Sequence, residues 1–511
     1  MDFTRVKRVG IVGAGVSGLA TARTLISQGL DCTVFDRNDV LGGVWSDGYP
    51  NFGLQVQSEL YEFPDWPLPE GTPDFTPGPI IQKYLTDFAD HFGITPRIRF
   101  NTEVTGISER GKRGNGWTIS TRAKGRVKKE NFDLVVICIG LYSNLPNMPA
   151  FPDQKKFKGE IIHISGLNSH DQIADKRVAV LGYGKSATDA ALESATVAAQ
   201  THIIIREPHW PLPPKLAGIL PFKWGMLNRL TSALIPLYQN PTPVERIVHG
   251  LGKPLAWFYW RLVEALLYFQ CRLGSRFGTR VNLVPDKPIE IDAFGESTML
   301  PRADFYPLVR RGTIDAHRTS IKAYTQTSLS LADGTMLDID VMILATGWTA
   351  DFSFLSKRVW RRLGKEDDGF YLYRHMVHPE VPSLFFVGRA STISSILTYS
   401  LQARWLGELL KGNFQLPSVK TMNRDIEEMK TWKRSWIPFS SARSARLIAH
   451  MQHYHDELVR DFGASPWRKT GAFAPLKELI APYEPRDYAS IVAGEKRGDA
   501  ASKTANKVDY L

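Results

Sequence analysis

Cysteine is scarce: Cys32, Cys138 and Cys271 are the three in 511 residues, and they stand far apart. They form no CxxC pair and no zinc-finger spacing, which excludes a disulfide-stapled scaffold and a dithiol reductase. A long uninterrupted apolar run is missing too. The nearest approach, PLAWFYWRLVEALLYFQCRL at Pro254–Leu273, has the length of a membrane span but is broken by Arg261, Glu264 and Arg272. It is expected to act as a lid or docking helix, with peripheral membrane contact through 254–273 as the alternative. No leader pattern precedes the first strand-like stretch, so the expected setting is reducing and cytoplasmic, or membrane-associated if that helix docks. The net charge of +11 is read as a solvated surface. It comes without a nucleic-acid module or interleaved aromatic and basic residues, so no nucleic-acid partner is expected. No catalytic triad, carboxylate pair or metal motif stands out, and His453 and His455 read as surface positions on an amphipathic helix.

Glycine-rich turns are present, and they recur. VKRVGIV is a short buried strand followed by GAGVSGLATARTLISQG, in which Gly13, Gly15 and Gly18 make G-x-G-x-x-G at the start of a helix. Such glycines permit a tight turn, close backbone approach to a pyrophosphate and close helix–strand packing, and the helix N-terminus favours the phosphates. A second strand, CTVFD, ends in Asp36, an acid placed to accept hydrogen bonds from an adenosine ribose. KRVAVLGYGKSATDAALESA repeats the unit with Gly182, Gly184 and the small Ala187, and its next strand ends in Arg206. A guanidinium pairs with a 2′-phosphate that a carboxylate would repel, so this site favours NADPH over NADH. Lys185 either helps hold phosphate or is a solvated turn lysine. Two units in one chain imply FAD and NADPH together. The strands FDLVVICIG and DIDVMILATGW end at Gly140 and at Thr346-Gly347, where backbone is expected to approach a ligand.

Together with GGVW (Gly42–Trp45), YEFPDWPLP (Tyr61–Pro69), LFFVGRA (Leu384–Ala390) and LQARW (Leu401–Trp405), these motifs resemble the flavin-containing monooxygenases, over about residues 8 to 485. The resemblance implies an α/β fold of two Rossmann-like dinucleotide-binding domains, for FAD and NADPH, with a helical insertion and a helical C-terminal region. It implies hydride transfer from NADPH to FAD, addition of O2 at flavin C4a as a hydroperoxide, and oxygen transfer to the nucleophilic nitrogen or sulfur of a small molecule. Baeyer–Villiger oxidation of a ketone and a non-oxygenating FAD/NADPH-binding protein are the alternatives. Carried over as cofactor-binding positions are Gly13, Ala14, Gly15, Val16, Ser17, Gly18, Asp36, Gly43, Val44, Trp45, Leu54, Gln55, Val104, Gly182, Gly184, Lys185, Ser186, Asp189, Arg206, Thr346 and Gly347, with Gln55 and His163 as catalytic candidates.

FKGEIIHISGL matches the family's F-x-G-x-x-x-H through Phe157, Gly159 and His163, but ends in Leu167 where relatives carry an aromatic. Gln55 stands where an asparagine is usual, which keeps an amide and adds a methylene. For His163 a structural role and a proton-transfer role are both open, and Trp45 either walls the flavin or packs in the core. The expected organisation is an FAD domain of 1–167 and 335–450, and an NADPH domain of 168–334 with an insertion at about 208–300. A helical extension at 451–494 and a disordered tail at 495–511 complete it. The substrate pocket is expected from the insertion and the region around Ser391–Ser400.

Overall fold

The computed structural model describes residues 2–111, 116–142, 145–278, 281–297 and 299–494; the expected disordered tail at 495–511 lies outside the described residues. The apolar runs VGIV, LVVI, VAVL and VMIL are buried on both faces, the pattern of central parallel strands covered by helices. They form two parallel sheets of five strands. The first runs Leu384–Phe386, Leu134–Ile137, Arg8–Val12, Asp31–Phe35, Ile98–Arg99. The second runs Asp315–His317, Gln200–Ile204, Arg177–Leu181, Val341–Leu344, Glu160–His163. The helices Val16–Ser27 and Lys185–Val197 make the crossover after the central strand of each. Each sheet is also backed by a three-stranded antiparallel meander, Glu103–Glu109 to Arg126–Phe132 in one case and Ile321–Tyr324 to Met336–Asp338 in the other.

The sheet boundaries differ from those read in sequence. Glu160–His163 and Val341–Leu344 fall in the stretches assigned to the FAD domain, yet they pair with each other and join the second sheet. A four-residue apolar run reveals that it is a strand but not which of two similar sheets it enters.

Within the insertion, helix Lys253–Cys271 buries Trp260, Val263, Leu267 and Cys271 in the core around the second sheet. Its opposite face leaves Leu255, Trp257, Phe258, Leu262 and Phe269 exposed. Arg261 bonds Glu290 and lies 3.1 Å from Glu264, so the charges that interrupt the apolar run pair with one another. Among the described residues no helix is long and apolar enough to cross a membrane.

The helix Met451–Asp461 forms as expected, but its histidines are not on the surface. It packs on Ser395–Leu410, so His455 is fully buried with Nε2 2.8 Å from Thr398 Oγ1, while His453 bonds Glu245 of the insertion. Amphipathic spacing alone could not show that elements of the insertion cover the polar face as well.

Candidate functional site

The first glycine turn is built by close packing. Gly13 has φ +105°, and a Cβ there would lie 2.5 Å from the Cys138 carbonyl oxygen; one at Gly18 would lie 1.9 Å from the Gly13 carbonyl oxygen. No residue but glycine fits either place. Gly15 is the N-cap of helix Val16–Ser27, with no side chain capping it. The first N–H groups of that helix therefore face the space beyond the turn. Asp36 is buried at the end of its strand, where its carboxylate accepts the Ala14 N–H at 2.6 Å and the Asn38 N–H at 2.9 Å. It thereby tensions the turn from behind while still lining the cavity in front.

The second turn repeats the first. Gly182, at φ +131°, would place a Cβ 2.7 Å from the Ala345 carbonyl oxygen, and Gly184 caps helix Lys185–Val197 with nothing within 4 Å of a Cβ built on it. Arg206 is exposed at the end of its strand and pairs with no carboxylate among the described residues.

A single cavity of about 980 Å³ joins the two turns. Gly13, Gly15, Val16, Ser17, Asp36, Gly43, Val44, Trp45, Leu54, Gln55 and Val104 line it from the first unit, and Gly184, Lys185, Ser186 and Gly347 from the second. Ala14, Gly18, His163, Gly182, Asp189, Arg206 and Thr346 lie outside its lining. Thr346 instead bonds the Asn147 carbonyl at 2.6 Å, tying together the two segments that pass between the units. Asp189 is fully buried and receives the Tyr49 hydroxyl at 2.7 Å, with Lys185 and Arg302 beside it. Lys185 is thus paired, not solvated.

Trp45 packs its ring against Phe52 at 5.8 Å and donates its indole N–H to Tyr61 Oη at 2.8 Å. Burial pushes the Tyr61 phenol up to about 12, so the acceptor stays neutral. Trp45 is at once core and cavity wall. Gln55 is half-buried and its amide makes no hydrogen bond to protein among the described residues, which leaves both its donor and acceptor to the cavity.

His163 is spoken for at both nitrogens. Nδ1 accepts the Ser165 N–H at 3.3 Å, which sets the tautomer and leaves Nε2–H to donate to the Gly347 carbonyl at 3.1 Å. Burial holds the ring below the ordinary histidine value, so it is neutral at physiological pH. Leu167 is fully buried in the core around the second sheet, a packing contact that an aliphatic side chain satisfies.

The far wall comes from Ser391, Thr392, Ser395 and Tyr399, as expected, with Glu296 and Ser297 of the insertion. Sequence reasoning missed two residues there, Tyr142 and Arg446. Tyr142 follows Gly140, so the glycine-ended strand was a usable signal; its hydroxyl lies 3.0 Å from Ser391 Oγ. Arg446 carried no signal. Its Nε is closed off from solvent with no hydrogen-bond partner among the described residues, and burial holds the guanidinium below its ordinary value.

These features meet what FAD and NADPH require: two glycine turns shaped by backbone contact, two uncapped helix N-termini, and one cavity between them. Known proteins agree. A family model described as Flavin-binding monooxygenase-like matches residues 6–242 and 304–471. The chain belongs to that family. Among curated relatives, the N-oxide-forming dimethylaniline monooxygenase 2 of Oryctolagus cuniculus is 30% identical, over 90% of this chain and 83% of its own. Among solved structures, the S-allyl-L-cysteine S-oxygenase of Allium sativum has 21% identity and a TM-score of 0.62, covering 99% of this chain and 95% of its own. Cyclohexanone monooxygenase from Rhodococcus sp. Phi1, bound to NADP+, has 20% identity and a TM-score of 0.67, covering 89% and 97%. This member of the flavin-binding monooxygenases is an FAD- and NADPH-dependent oxidoreductase that acts on a small molecule with O2.

Proposed function

We propose that the enzyme transfers one oxygen atom of O2 to a nucleophilic nitrogen or sulfur of a small organic substrate. The observation that carries this is the single cavity of about 980 Å³ running from both glycine turns to the wall of Tyr142, Thr392 and Tyr399. It reaches both glycine turns, so the two cofactors would meet along it, with the substrate at their junction. FAD, reduced by NADPH, supplies the oxygen-activating chemistry. The chain's own residues bind, orient and exclude water. Gly15 and Gly184 admit pyrophosphate to the helix ends, and Asp36 holds the first turn while facing the ribose. Arg206 stands at the edge for a 2′-phosphate, and Trp45 and Leu54 wall the flavin. Gln55 offers its amide to the cofactor junction. His163 is a positioning residue that holds the Gly347 turn. The N-oxide-forming name of the rabbit relative and the S-oxygenase name of the garlic structure support nitrogen or sulfur as the acceptor.

The test is product analysis under 18O2. Tertiary amines, thioethers and cyclic ketones are offered with NADPH, and products are read by mass spectrometry. A labelled N-oxide or sulfoxide supports the proposal. A labelled ester or lactone replaces it with Baeyer–Villiger oxidation, and NADPH consumption that yields peroxide alone replaces it with a non-oxygenating protein. We further propose peripheral membrane contact through 254–273, where Trp257, Phe258 and Phe269 are exposed together and Lys253 and Arg276 stand at the ends. Vesicle flotation tests it: protein that stays unbound to anionic vesicles at low salt rules it out.

A further inference from the structure

At the edge of the second sheet, strands Gln200–Ile204 and Asp315–His317 run parallel with His202 opposite Asp315. Side chains alternate along a strand, so Asp315 and His317 share one face, and His202 lies on that same face of its neighbour. His202 Nδ1 is 3.2 Å from His317 Nε2. Asp315 Oδ2 is 3.5 Å from the first and 3.3 Å from the second. Both carboxylate contacts are longer than the about 2.7–2.9 Å at which charge-assisted N–H···O bonds settle. They match a different spacing. Ligand atoms about 2.0–2.1 Å from a common ion are about 3.4 Å apart at tetrahedral corners and about 2.9 Å apart at octahedral ones.

We propose that His202 Nδ1, Asp315 Oδ2 and His317 Nε2 form a tetrahedral binding site for a divalent transition ion of the zinc type, with water in the fourth position. Two imidazoles and a carboxylate are a donor set that suits such an ion, and three protein ligands leave one corner open. The two imidazole side chains keep 13% and 12% of their exposure and the carboxylate 32%, so the site is sheltered yet reachable from solvent. Asp333, on the hairpin turn nearby, is close enough to His317 to act on its charge and adds to the negative field an ion would meet. None of these residues lines the nucleotide cavity. The ion would clip the strand that leads to Arg206 onto its neighbour, a structural role separate from oxygen transfer.

The test uses the untagged holoenzyme, stripped with a chelator and then titrated with Zn2+ against a chromophoric competitor. One equivalent bound is expected. Co2+ in its place is expected to give the intense visible bands of a four-coordinate ion. His202→Gln, His317→Gln and Asp315→Asn are each expected to weaken Zn2+ binding at least about tenfold, with flavin content and circular dichroism unchanged. Where a variant fails to fold, the Co2+ spectrum of the wild-type protein decides by itself. Absence of stoichiometric Zn2+, a weak six-coordinate Co2+ spectrum, or binding that survives in folded variants would each overturn the site.

Discussion

The two nucleotide units are built to one plan and finished differently. Both begin with Lys-Arg-Val, at Lys7–Val9 and Lys176–Val178, and both set an aspartate, Asp133 or Asp340, just before the third strand. Each aspartate accepts the backbone N–H of the arginine at 2.9 Å. The first glycine of each turn presses on the carbonyl that ends the third strand, Cys138 or Ala345. The differences lie at the third position of each turn and just past the second strand. Gly18 has no room for a Cβ, whereas Ala187 carries one fully buried. Asp36 is buried and bonded into its turn, whereas Arg206 stands exposed. The repeated parts hold the backbone; on the proposed function the divergent parts are the ones that would select the cofactor.

The largest break in this comparison comes from adding one carbon at the third position of the first unit. Gly18→Ala forces a methyl to 1.9 Å from the Gly13 carbonyl oxygen, and overpacking against backbone is expected to cost about 3 kcal/mol or more. The expected result is loss of bound flavin and a large fall in Tm. A flavin-replete Gly18→Ala protein would show that the helix can retreat as its counterpart does. Next comes Arg206→Ala, which removes a charge-assisted contact worth about 1.5–3 kcal/mol. The KM for NADPH should rise roughly 10- to 100-fold while that for NADH hardly moves. Equal change for both would take the 2′-phosphate away from Arg206. The mirror of the first change, Ala187→Gly, is expected to cost only about 1 kcal/mol, the helix-propensity loss, read as a small Tm shift with flavin retained.

Much of this was readable in advance, for a physical reason. Glycine turns, strand-ending acids and bases, and apolar four-residue runs are local signals, and both glycine turns and the strands that lead into them follow from these. What escaped depends on tertiary placement. The membership of Glu160–His163 in the second sheet is decided by pairing with Val341–Leu344, 181 residues away. His455 is buried because Ser395–Leu410 covers it, and Arg446 reaches the cavity from a segment with no motif at all. The bridge between units is equally silent in sequence: Asn51 donates to Glu193 at 2.8 Å, and Arg302 holds Glu193 from the other side at 2.8 Å.

The smallest expected effect sharpens the comparison at the paired aspartates. Arg177 turns its guanidinium onto Asp340, with Nη2 2.7 Å from Oδ1, and holds that carboxyl down at about 2. Arg8 instead turns to the Asn131 carbonyl at 2.8 Å, so Asp133 holds its strand through the N–H groups of Lys7 and Arg8. A depressed carboxyl stabilises the fold above its unfolded value of about 3.9, and that stabilisation is lost as pH falls toward the folded value. Asp340 is 42% exposed, so solvent screening reduces its contribution to about 0.5 kcal/mol. Denaturant midpoints followed by flavin release should therefore fall slightly for Asp340→Asn at pH 7, and the deficit against wild type should close between about pH 4 and pH 2. Asp133→Asn keeps an oxygen acceptor for both N–H groups, so the contacts to Lys7 and Arg8 survive it. A deficit in Asp340→Asn that stays constant down to pH 2 would mean that the backbone contact, and not the Arg177 charge, is what the second unit gains from its aspartate.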